Sequence, residues 1–183
     1  VVYEKADRLG GTWRENTYPG IACDVPSHLY SYSFALNPDW SRSFSDGAEI
    51  EAYFERVAEE HGVIPLIRFG EEVKGCEWRD GRWHLSTAAG TEDDADVVIA
   101  ATGVLHHPRY PDIDGLEDFA GACFHSARWD HDVTLDGARV GVVGTGSTAV
   151  QITGALVDRV AHLSLFQRTA QWVAPMENPA YTD

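Results

Sequence analysis

The stretch that decides the fold of this chain is Arg139-Val-Gly-Val-Val-Gly144-Thr-Gly146-Ser-Thr-Ala149. Its first part, Arg139 to Val143, is a short apolar run that predicts a β-strand, and the residues from Ser147 to about Val157 predict a helix. A second apolar run from Ala161 to Phe166 predicts another strand. The order strand, glycine turn, helix, strand is that of a βαβ unit with parallel strands.

The glycines of this unit fall where the first strand turns into the helix, in the pattern G-x-G-x-x-[G/A]. Gly144 would permit the tight turn, Gly146 would let a pyrophosphate approach the backbone, and Ala149 would allow the helix to pack closely on the strand. Free N–H groups at a helix N-terminus favour an anion. The pattern therefore predicts a dinucleotide site, although glycines also occur in such turns for geometry alone. The predicted contacts are Gly144, Thr145, Gly146, Ser147, Thr148, Ala149 and Gln151.

The end of the second strand indicates which dinucleotide this unit would bind. In a Rossmann unit an acidic residue at this position accepts a hydrogen bond from the adenosine ribose. Here Gln167-Arg168-Thr169 contains no acid. A guanidinium and a hydroxyl suit a 2′-phosphate, so Arg168 and Thr169 favour NADPH over NADH. The alternative is that Arg168 is a solvated surface residue.

The first half of the chain predicts one helix and several strands. A helix is expected from about Ala48 to His61, with Asp46 as its N-cap, Gly62 as its stop, and Ile50, Phe54 and Val57 on one face. Strands are expected at Leu66–Phe69, Glu72–Trp78 and Arg82–Thr87, and Asp80-Gly81 predicts a hairpin turn. The apolar run Ala95–Ala101 predicts a strand buried on both faces.

Prolines and glycines interrupt any periodicity between Gly103 and Asp136, which indicates an interdomain connection. The expected organisation is therefore one domain over residues 1–105, a linker over 106–135 and a second domain over 136–183. The chain starts as if at the close of a strand and stops inside a loop, so we expect an internal fragment of a longer protein.

The composition excludes several classes of partner. Lys and Arg number 14 against 29 Asp and Glu, and the resulting net charge of −15 opposes binding to nucleic acid or anionic lipid. No apolar run is long enough to span a membrane. The 3 cysteines are far apart and the 8 histidines lack the spacing of a zinc site, so no metal is expected. Reduced thiols indicate a cytoplasmic protein.

A second motif lies in the predicted linker, at Phe119-Ala-Gly121-Ala-Cys-Phe-His125-Ser-Ala-Arg-Trp129-Asp130. It has the form F-x-G-x-x-x-H-x-x-x-W-[P/D] and resembles the fingerprint of Baeyer-Villiger monooxygenases, which are Class B flavin-dependent monooxygenases. The related N- and S-oxygenating enzymes carry a similar fingerprint that ends in a different aromatic residue. The resemblance implies that His125 and Trp129 couple movement of the nicotinamide domain to catalysis.

The N-terminal segment is similar to the same family. Leu9-Gly-Gly11-Thr12-Trp13, then Tyr18-Pro-Gly20, Cys23-Asp24 and Tyr30-Ser-Tyr-Ser-Phe34 match its G-G-T-W…Y-P-G…D…Y-x-x-S-F segment. The similarity implies that Trp13, Asp24 and Tyr30 line the flavin and that Asp24 pairs with an arginine from a later part of the chain. Glu4 would bind the adenosine ribose, and Val73 would either meet the adenine or belong to the core. The implied flavin contacts are Glu4, Gly11, Thr12, Trp13, Cys23, Asp24, Tyr30 and Val73.

The resemblance implies an α/β fold of the two-dinucleotide-binding-domain flavoprotein type, with paired Rossmann-like three-layer domains, incomplete at both ends. The first domain would bind FAD and the last would bind NADPH. The implied activity is insertion of one oxygen atom of O2 next to a ketone carbonyl, through a C4a-peroxyflavin, to give an ester or lactone. Asp24, His125 and Trp129 are the implied catalytic residues.

Three alternatives remain open from the sequence. An N- or S-oxygenating flavin monooxygenase would use the same cofactors. A pyridine-nucleotide disulfide reductase would share the two-domain plan but needs a redox cysteine pair, which the spacing of Cys23, Cys76 and Cys123 does not provide. A dinucleotide-binding fragment without catalytic activity is the third.

Overall fold

The computed structural model of the chain describes residues 1–181, which form two compact units. The first unit comprises Val1–Gly11 and Ala52–Val104, and the second comprises Thr12–Glu51 and the residues from Leu105 onward. The elements in chain order are β1 (Val2–Tyr3), α1 (Thr12–Glu15), α2 (Gly47–Glu60), β2 (Ile67–Arg68), β3 (Val73–Arg79), β4 (Arg82–Thr87), β5 (Glu92–Ala95), β6 (Arg139–Val143), α3 (Ser147–Leu156) and β7 (His162–Phe166). Short 3-10 turns lie at Ile64–Leu66, Leu116–Asp118 and Ser126–Arg128.

The first unit contains two small sheets. Strand β1 pairs in parallel with β2, and β3, β4 and β5 form an antiparallel meander. The predicted hairpin turn between β3 and β4 is confirmed, because Asp80 and Gly81 have φ angles of 53° and 80°, as a type I′ turn requires. The strand predicted at residues 66–69 is confirmed only over Ile67–Arg68.

The end of β1 is held by a polar cluster within the first unit. The Tyr3 hydroxyl donates to Asp93 Oδ2 at 2.5 Å and accepts from Arg68 Nη1 at 2.9 Å. The hydrogen bond from Tyr3 is the main reason that the pKa of Asp93 lies below its ordinary value. This cluster fixes the chain immediately before Glu4.

The second unit contains the predicted βαβ arrangement. Strands β6 and β7 are parallel and in register from Arg139↔His162 to Val143↔Phe166, with α3 between them in the chain. Helix α3 buries Ala149, Ile152 and Leu156 on one face. A core cluster forms where Tyr18 meets Ile152 and Leu156, and the partly buried side chains packed around it include Ile21, Trp129, Leu135, Val140, Val142, Val160 and Leu163. This core cluster therefore lies on the buried face of α3.

Helix α2 confirms the predicted helix to within one residue at each end. The Asp46 carboxylate accepts from the Glu49 backbone N–H at 2.9 Å, which is the expected N-cap contact. The buried face is Ile50, Tyr53 and Val57, whereas Phe54 is half-buried. Phe54 lies on the predicted face at i+4 from Ile50 but is less buried than Tyr53 at i+3, which the sequence analysis did not single out. Within the described residues, no helix combines the length and the apolar character needed to cross a bilayer.

The prediction of a strand at Ala95–Ala101 was wrong. The ladder next to β4 is made by Glu92–Ala95, and the following residues form no strand. Val97 and Ile99 are 74% and 85% exposed. The physical reason is pairing: β4 offers one free edge, the preceding acidic segment occupies it, and the apolar run finds no neighbouring strand among the described residues.

Candidate dinucleotide-binding site

The glycine turn after β6 leads directly into the N-terminus of α3. Gly144 has a φ of +118°, in the region that favours glycine, and Gly146 is the N-cap residue. A Cβ built at either glycine would meet nothing within 4 Å, so the space above the turn is open to a ligand. The N-cap residue is a glycine and so makes no side-chain capping hydrogen bond. The first-turn N–H groups of α3 are therefore presented to an anion, as a pyrophosphate site requires.

Residues that follow β7 lie at the same edge of the sheet as this turn. The Gly144 N–H donates to the Phe166 carbonyl at 2.9 Å, and the Thr145 hydroxyl donates to the Thr169 carbonyl at 3.2 Å. Arg168 is exposed between these contacts. The structure thus brings together the glycine turn and the Arg168-Thr169 pair, although they are more than twenty residues apart in sequence.

The remaining predicted contacts in α3 differ in their surroundings. Ser147 is exposed, Thr148 is half-buried and Ala149 is buried against the core. Both polar atoms of the Gln151 side chain are hydrogen-bonded to the protein: Oε1 accepts from the Tyr18 hydroxyl and Nε2 donates to the Ala22 carbonyl, each at 2.8 Å. A contact between Gln151 and a cofactor remains a prediction.

The residues predicted to bind flavin are divided between the two units. In the first, Glu4 follows β1, and one of its carboxylate oxygens accepts from the Ala6 N–H at 2.9 Å. Gly11 has a φ of +51° and open space where a Cβ would stand. Val73 begins β3 and is exposed. An oriented carboxylate at a strand end and an open glycine fit a nucleotide, and these roles remain predictions.

In the second unit, Thr12 and Trp13 begin α1, and Trp13 meets Tyr30. The Trp13 Nε1–H donates to the Tyr30 hydroxyl at 3.3 Å, and the two rings are edge-to-face at 5.7 Å. Cys23 is buried, and this burial raises the pKa of its thiol. The next residue, Asp24, is exposed. A neutral buried thiol thus anchors the loop while the neighbouring carboxylate stays accessible.

The fingerprint segment, residues 119–131, is built around His125 and Trp129. His125 Nδ1 accepts from the Ala127 N–H at 3.0 Å, which caps the 3-10 turn, and its backbone N–H donates to the Tyr110 hydroxyl at 3.1 Å. Trp129 stands edge-to-face with Phe124 at 5.1 Å and packs against the Tyr18 cluster. Both side chains therefore fix the shape and position of the segment.

We expect His125→Ala to destabilise this segment by about 1 kcal/mol, the usual cost of losing a capping acceptor. His125→Asn is the matched control, because the asparagine carbonyl can accept the same hydrogen bond. The apparent midpoint of thermal unfolding of the full-length protein would measure both variants. Equal losses in the two variants would contradict a capping role.

Two contacts tie the fingerprint segment to the N-terminal motif, and sequence reasoning missed both. Arg128 Nη1 lies 2.8 Å from Glu15 Oε2, and Arg14 binds the other oxygen of the same carboxylate at 2.8 Å. Thr17 Oγ1 lies 2.8 Å from His131 Nε2. The partners are separated by 113 and 114 residues, so no local pattern could have revealed them.

A parallel strand–glycine turn–helix–strand unit with an open helix N-terminus defines a dinucleotide-binding domain of the Rossmann class. Among the described residues, no group of three or more His, Cys, Asp and Glu side chains is placed to hold a metal ion. The chain belongs to the pyridine nucleotide-disulphide oxidoreductase family, whose sequence model matches residues 27–182.

Individual relatives agree with this assignment. An uncharacterized monooxygenase of Mycobacterium tuberculosis is 57% identical over 99% of this chain and 37% of its own length. A Baeyer-Villiger monooxygenase of Streptomyces coelicolor is 54% identical over 96% of this chain and 34% of its own. The crystal structure of cyclohexanone monooxygenase from Rhodococcus sp. Phi1 bound to NADP+ matches with a TM-score of 0.87 and 38% identity, over 98% of this chain and 35% of that one.

The chain spans about a third of the length of the proteins it matches. Its predicted resemblance to Baeyer-Villiger monooxygenases is confirmed by the Streptomyces relative. The predicted fold class is confirmed by the family match and by the cyclohexanone monooxygenase structure.

Proposed function

We propose that the full-length protein is an FAD- and NADPH-dependent monooxygenase that converts a ketone to an ester or lactone with O2. The observation that carries this proposal is the apolar cluster of the second unit. Tyr18 from the Y-P-G motif, Trp129 from the fingerprint, and Ile152 and Leu156 from the glycine-turn helix pack together there. Two motifs that resemble Baeyer-Villiger monooxygenases thus pack against the helix that is predicted to bind a dinucleotide, and this packing supports a shared function.

The bound cofactors would supply hydride transfer and activation of oxygen, while the protein binds and orients them. The backbone N–H groups at the start of α3 would hold the pyrophosphate of NADPH. Arg168 and Thr169, at the same edge of the sheet, would bind its 2′-phosphate. Glu4 would accept hydrogen bonds from the adenosine ribose of FAD.

We further propose that residues 1–105 belong to the FAD-binding domain, 106–135 to the linker and 136–183 to the NADPH-binding domain. Trp129 would act by holding the linker against α3, and His125 would act by fixing the shape of the linker, because their contacts are structural. The named cyclohexanone monooxygenase supports a ketone as the substrate class. Free thiols at all 3 cysteines support a cytoplasmic location.

Asp24 would hold an arginine from another part of the full-length protein, so that the guanidinium can stabilise negative charge that develops during oxygenation. Its exposure leaves the carboxylate accessible to such a partner. We expect Asp24→Ala to lower the rate of ketone oxygenation about 10- to 100-fold, the effect of losing a hydrogen bond to a charged group. Product formation per flavin in the full-length enzyme measures this effect.

The matched control for Asp24→Ala is Asp39→Ala, which removes another exposed carboxylate of the same unit. We expect it to oxygenate ketones at the wild-type rate. Normal ketone turnover by Asp24→Ala would remove the proposed role of this carboxylate.

The function is tested by purifying the full-length protein and supplying NADPH, O2 and a cyclic ketone. We expect a yellow protein, oxidation of NADPH stimulated by the ketone, and a lactone product. A protein that remains colourless after reconstitution with FAD would contradict the proposal. Products formed only from a sulfide or an amine would assign the protein to the heteroatom-oxidising enzymes instead.

The family description also names disulfide oxidoreductases, and the cysteines of this chain argue against disulfide reduction. Cys23 is buried in the second unit, whereas Cys76 and Cys123 are exposed, and none of the three is paired. Burial and a raised pKa make the Cys23 thiol a poor nucleophile. We therefore expect no NADPH-dependent reduction of disulfides through these three cysteines.

A further inference from the structure

A buried tyrosine joins the Y-P-G motif to the glycine-turn helix. The Tyr18 side chain is 7% exposed and lies against Ile152 and Leu156 of α3. Its hydroxyl donates to Gln151 Oε1 at 2.8 Å, across 133 residues of sequence. The side chain of Thr148, in the first turn of α3, also lies close to the phenol. The phenol therefore contacts the part of the helix that would bind the pyrophosphate.

Gln151 extends this connection to the loop that carries Cys23 and Asp24. Its Nε2 donates to the Ala22 carbonyl at 2.8 Å, one residue before Cys23. The Cys23 N–H in turn donates to the Ser45 carbonyl at 3.0 Å. A single amide side chain thus binds Tyr18 through its acceptor and the Ala22 backbone through its donor.

The close approach of the two segments depends on Gly20. A Cβ built at this residue would lie 2.7 Å from the Gln151 carbonyl oxygen and 3.0 Å from Ala155 Cβ. The backbone of the Y-P-G motif therefore lies directly on α3, with no room for a side chain between them. A shift of the first turns of α3 would be transmitted to residues 18–24 through packed atoms and hydrogen bonds.

The protonation state of Tyr18 suits this role. Burial is the main reason that the pKa of its phenol is raised above the ordinary value. The hydroxyl consequently stays protonated at neutral pH and remains a hydrogen-bond donor to Gln151.

We propose that Tyr18 and Gln151 are positioning residues that couple binding of the nicotinamide dinucleotide at α3 to the placement of the Asp24 loop. This inference rests on the proposed function, since it requires NADP(H) at the glycine turn. Neither residue needs to touch the reacting atoms. By linkage, a nucleotide that orders the first turn of α3 also orders residues 18–24, and the coupling acts equally in the reverse direction.

The test measures backbone hydrogen exchange of residues 18–24 in the full-length protein, with and without NADP+. In the wild type we expect NADP+ to slow exchange in this segment. In Gln151→Met and Tyr18→Phe we expect the NADP+-dependent slowing to shrink by about fivefold, the factor that one neutral hydrogen bond typically gives. Gln171→Met, at an exposed glutamine, is the matched control and should behave as the wild type.

Gln151→Glu separates the two hydrogen bonds. A carboxylate can still accept from Tyr18 but cannot donate to the Ala22 carbonyl, so we expect this variant to lose the slowing as Gln151→Met does. If Gln151→Glu retained the full effect, the connection through Ala22 would be refuted.

A purely structural role gives a different result. Exchange in residues 18–24 would then rise by the same factor with and without NADP+, and the slowing caused by the nucleotide would be unchanged. That outcome, or a wild type in which NADP+ leaves this segment unaffected although it binds, would overturn the coupling. Failure of NADP+ to bind the wild type, measured separately by titration calorimetry, would overturn the proposed function itself.

Discussion

Replacement of Arg168 by alanine is expected to raise the KM of the full-length enzyme for NADPH roughly 10- to 100-fold, because a charge-assisted contact with the 2′-phosphate is lost. The KM for NADH should change by less than about twofold, since NADH carries no phosphate at that position. The structure supports this expectation because the residues after β7 lie beside the glycine turn, joined by the contacts of Thr145 with Thr169 and of Gly144 with Phe166. Steady-state kinetics with each nucleotide measures the effect.

Arg139→Ala is the matched control for Arg168→Ala. Arg139 is also exposed but begins β6, at the opposite end of the same two-stranded sheet. Replacing Arg139 by alanine therefore removes one positive charge without touching the predicted phosphate site. The KM values for NADPH and NADH should both stay near those of the wild type. Arg168→Lys should lie between the wild type and alanine, because it keeps the charge and loses the planar fork. Equal increases for NADPH and NADH in Arg168→Ala would refute the 2′-phosphate assignment.

Gly20→Ala is expected to destabilise the protein by about 2–5 kcal/mol, the sum of backbone strain and overpacking. Gly20 has a φ of +83°, which disfavours any L side chain. The new methyl group would also stand 2.7 Å from the Gln151 carbonyl oxygen, a backbone atom of α3 that cannot move without displacing the helix. We expect a lower yield of soluble full-length protein and a lower apparent midpoint of denaturant unfolding.

Gly90→Ala separates the two causes. Gly90 has a nearly identical φ of +88°, yet a Cβ there meets nothing within 4 Å. This control should show only the strain component, about 1–2 kcal/mol. If Gly20→Ala cost no more than Gly90→Ala, the close packing of the Y-P-G motif on α3 would be disproved.

The elements that could be predicted from sequence are those fixed by local chemistry. The Asp46 cap set the start of α2, the Asp80-Gly81 pair set the hairpin, and the glycines after Val143 set the strand-to-helix turn. Each of these depends on a few adjacent residues whose backbone or capping preferences are strong. The resemblance of two motifs to one family added FAD and the expected reaction, which no periodicity could have provided.

The features that could not be predicted depend on partners distant in the chain. The run Ala95–Ala101 has the apolar character of a buried strand, but strand formation also needs a ladder partner, and β4 pairs with Glu92–Ala95 instead. The contacts of Gln151 with Tyr18 and Ala22, and of Arg128 with Glu15, join residues more than a hundred positions apart. Such contacts are set by how helices and loops pack, so they cannot be predicted from local patterns in a single sequence.

The different burial of the three cysteines has a practical consequence. Maleimide reagents need an accessible thiol, so they should modify Cys76 on β3 and Cys123 within the fingerprint while sparing Cys23. These two attachment points lie one in each compact unit. An environment-sensitive fluorophore attached at either position would report how its own unit responds as nucleotide is added, without altering the loop that carries Cys23 and Asp24.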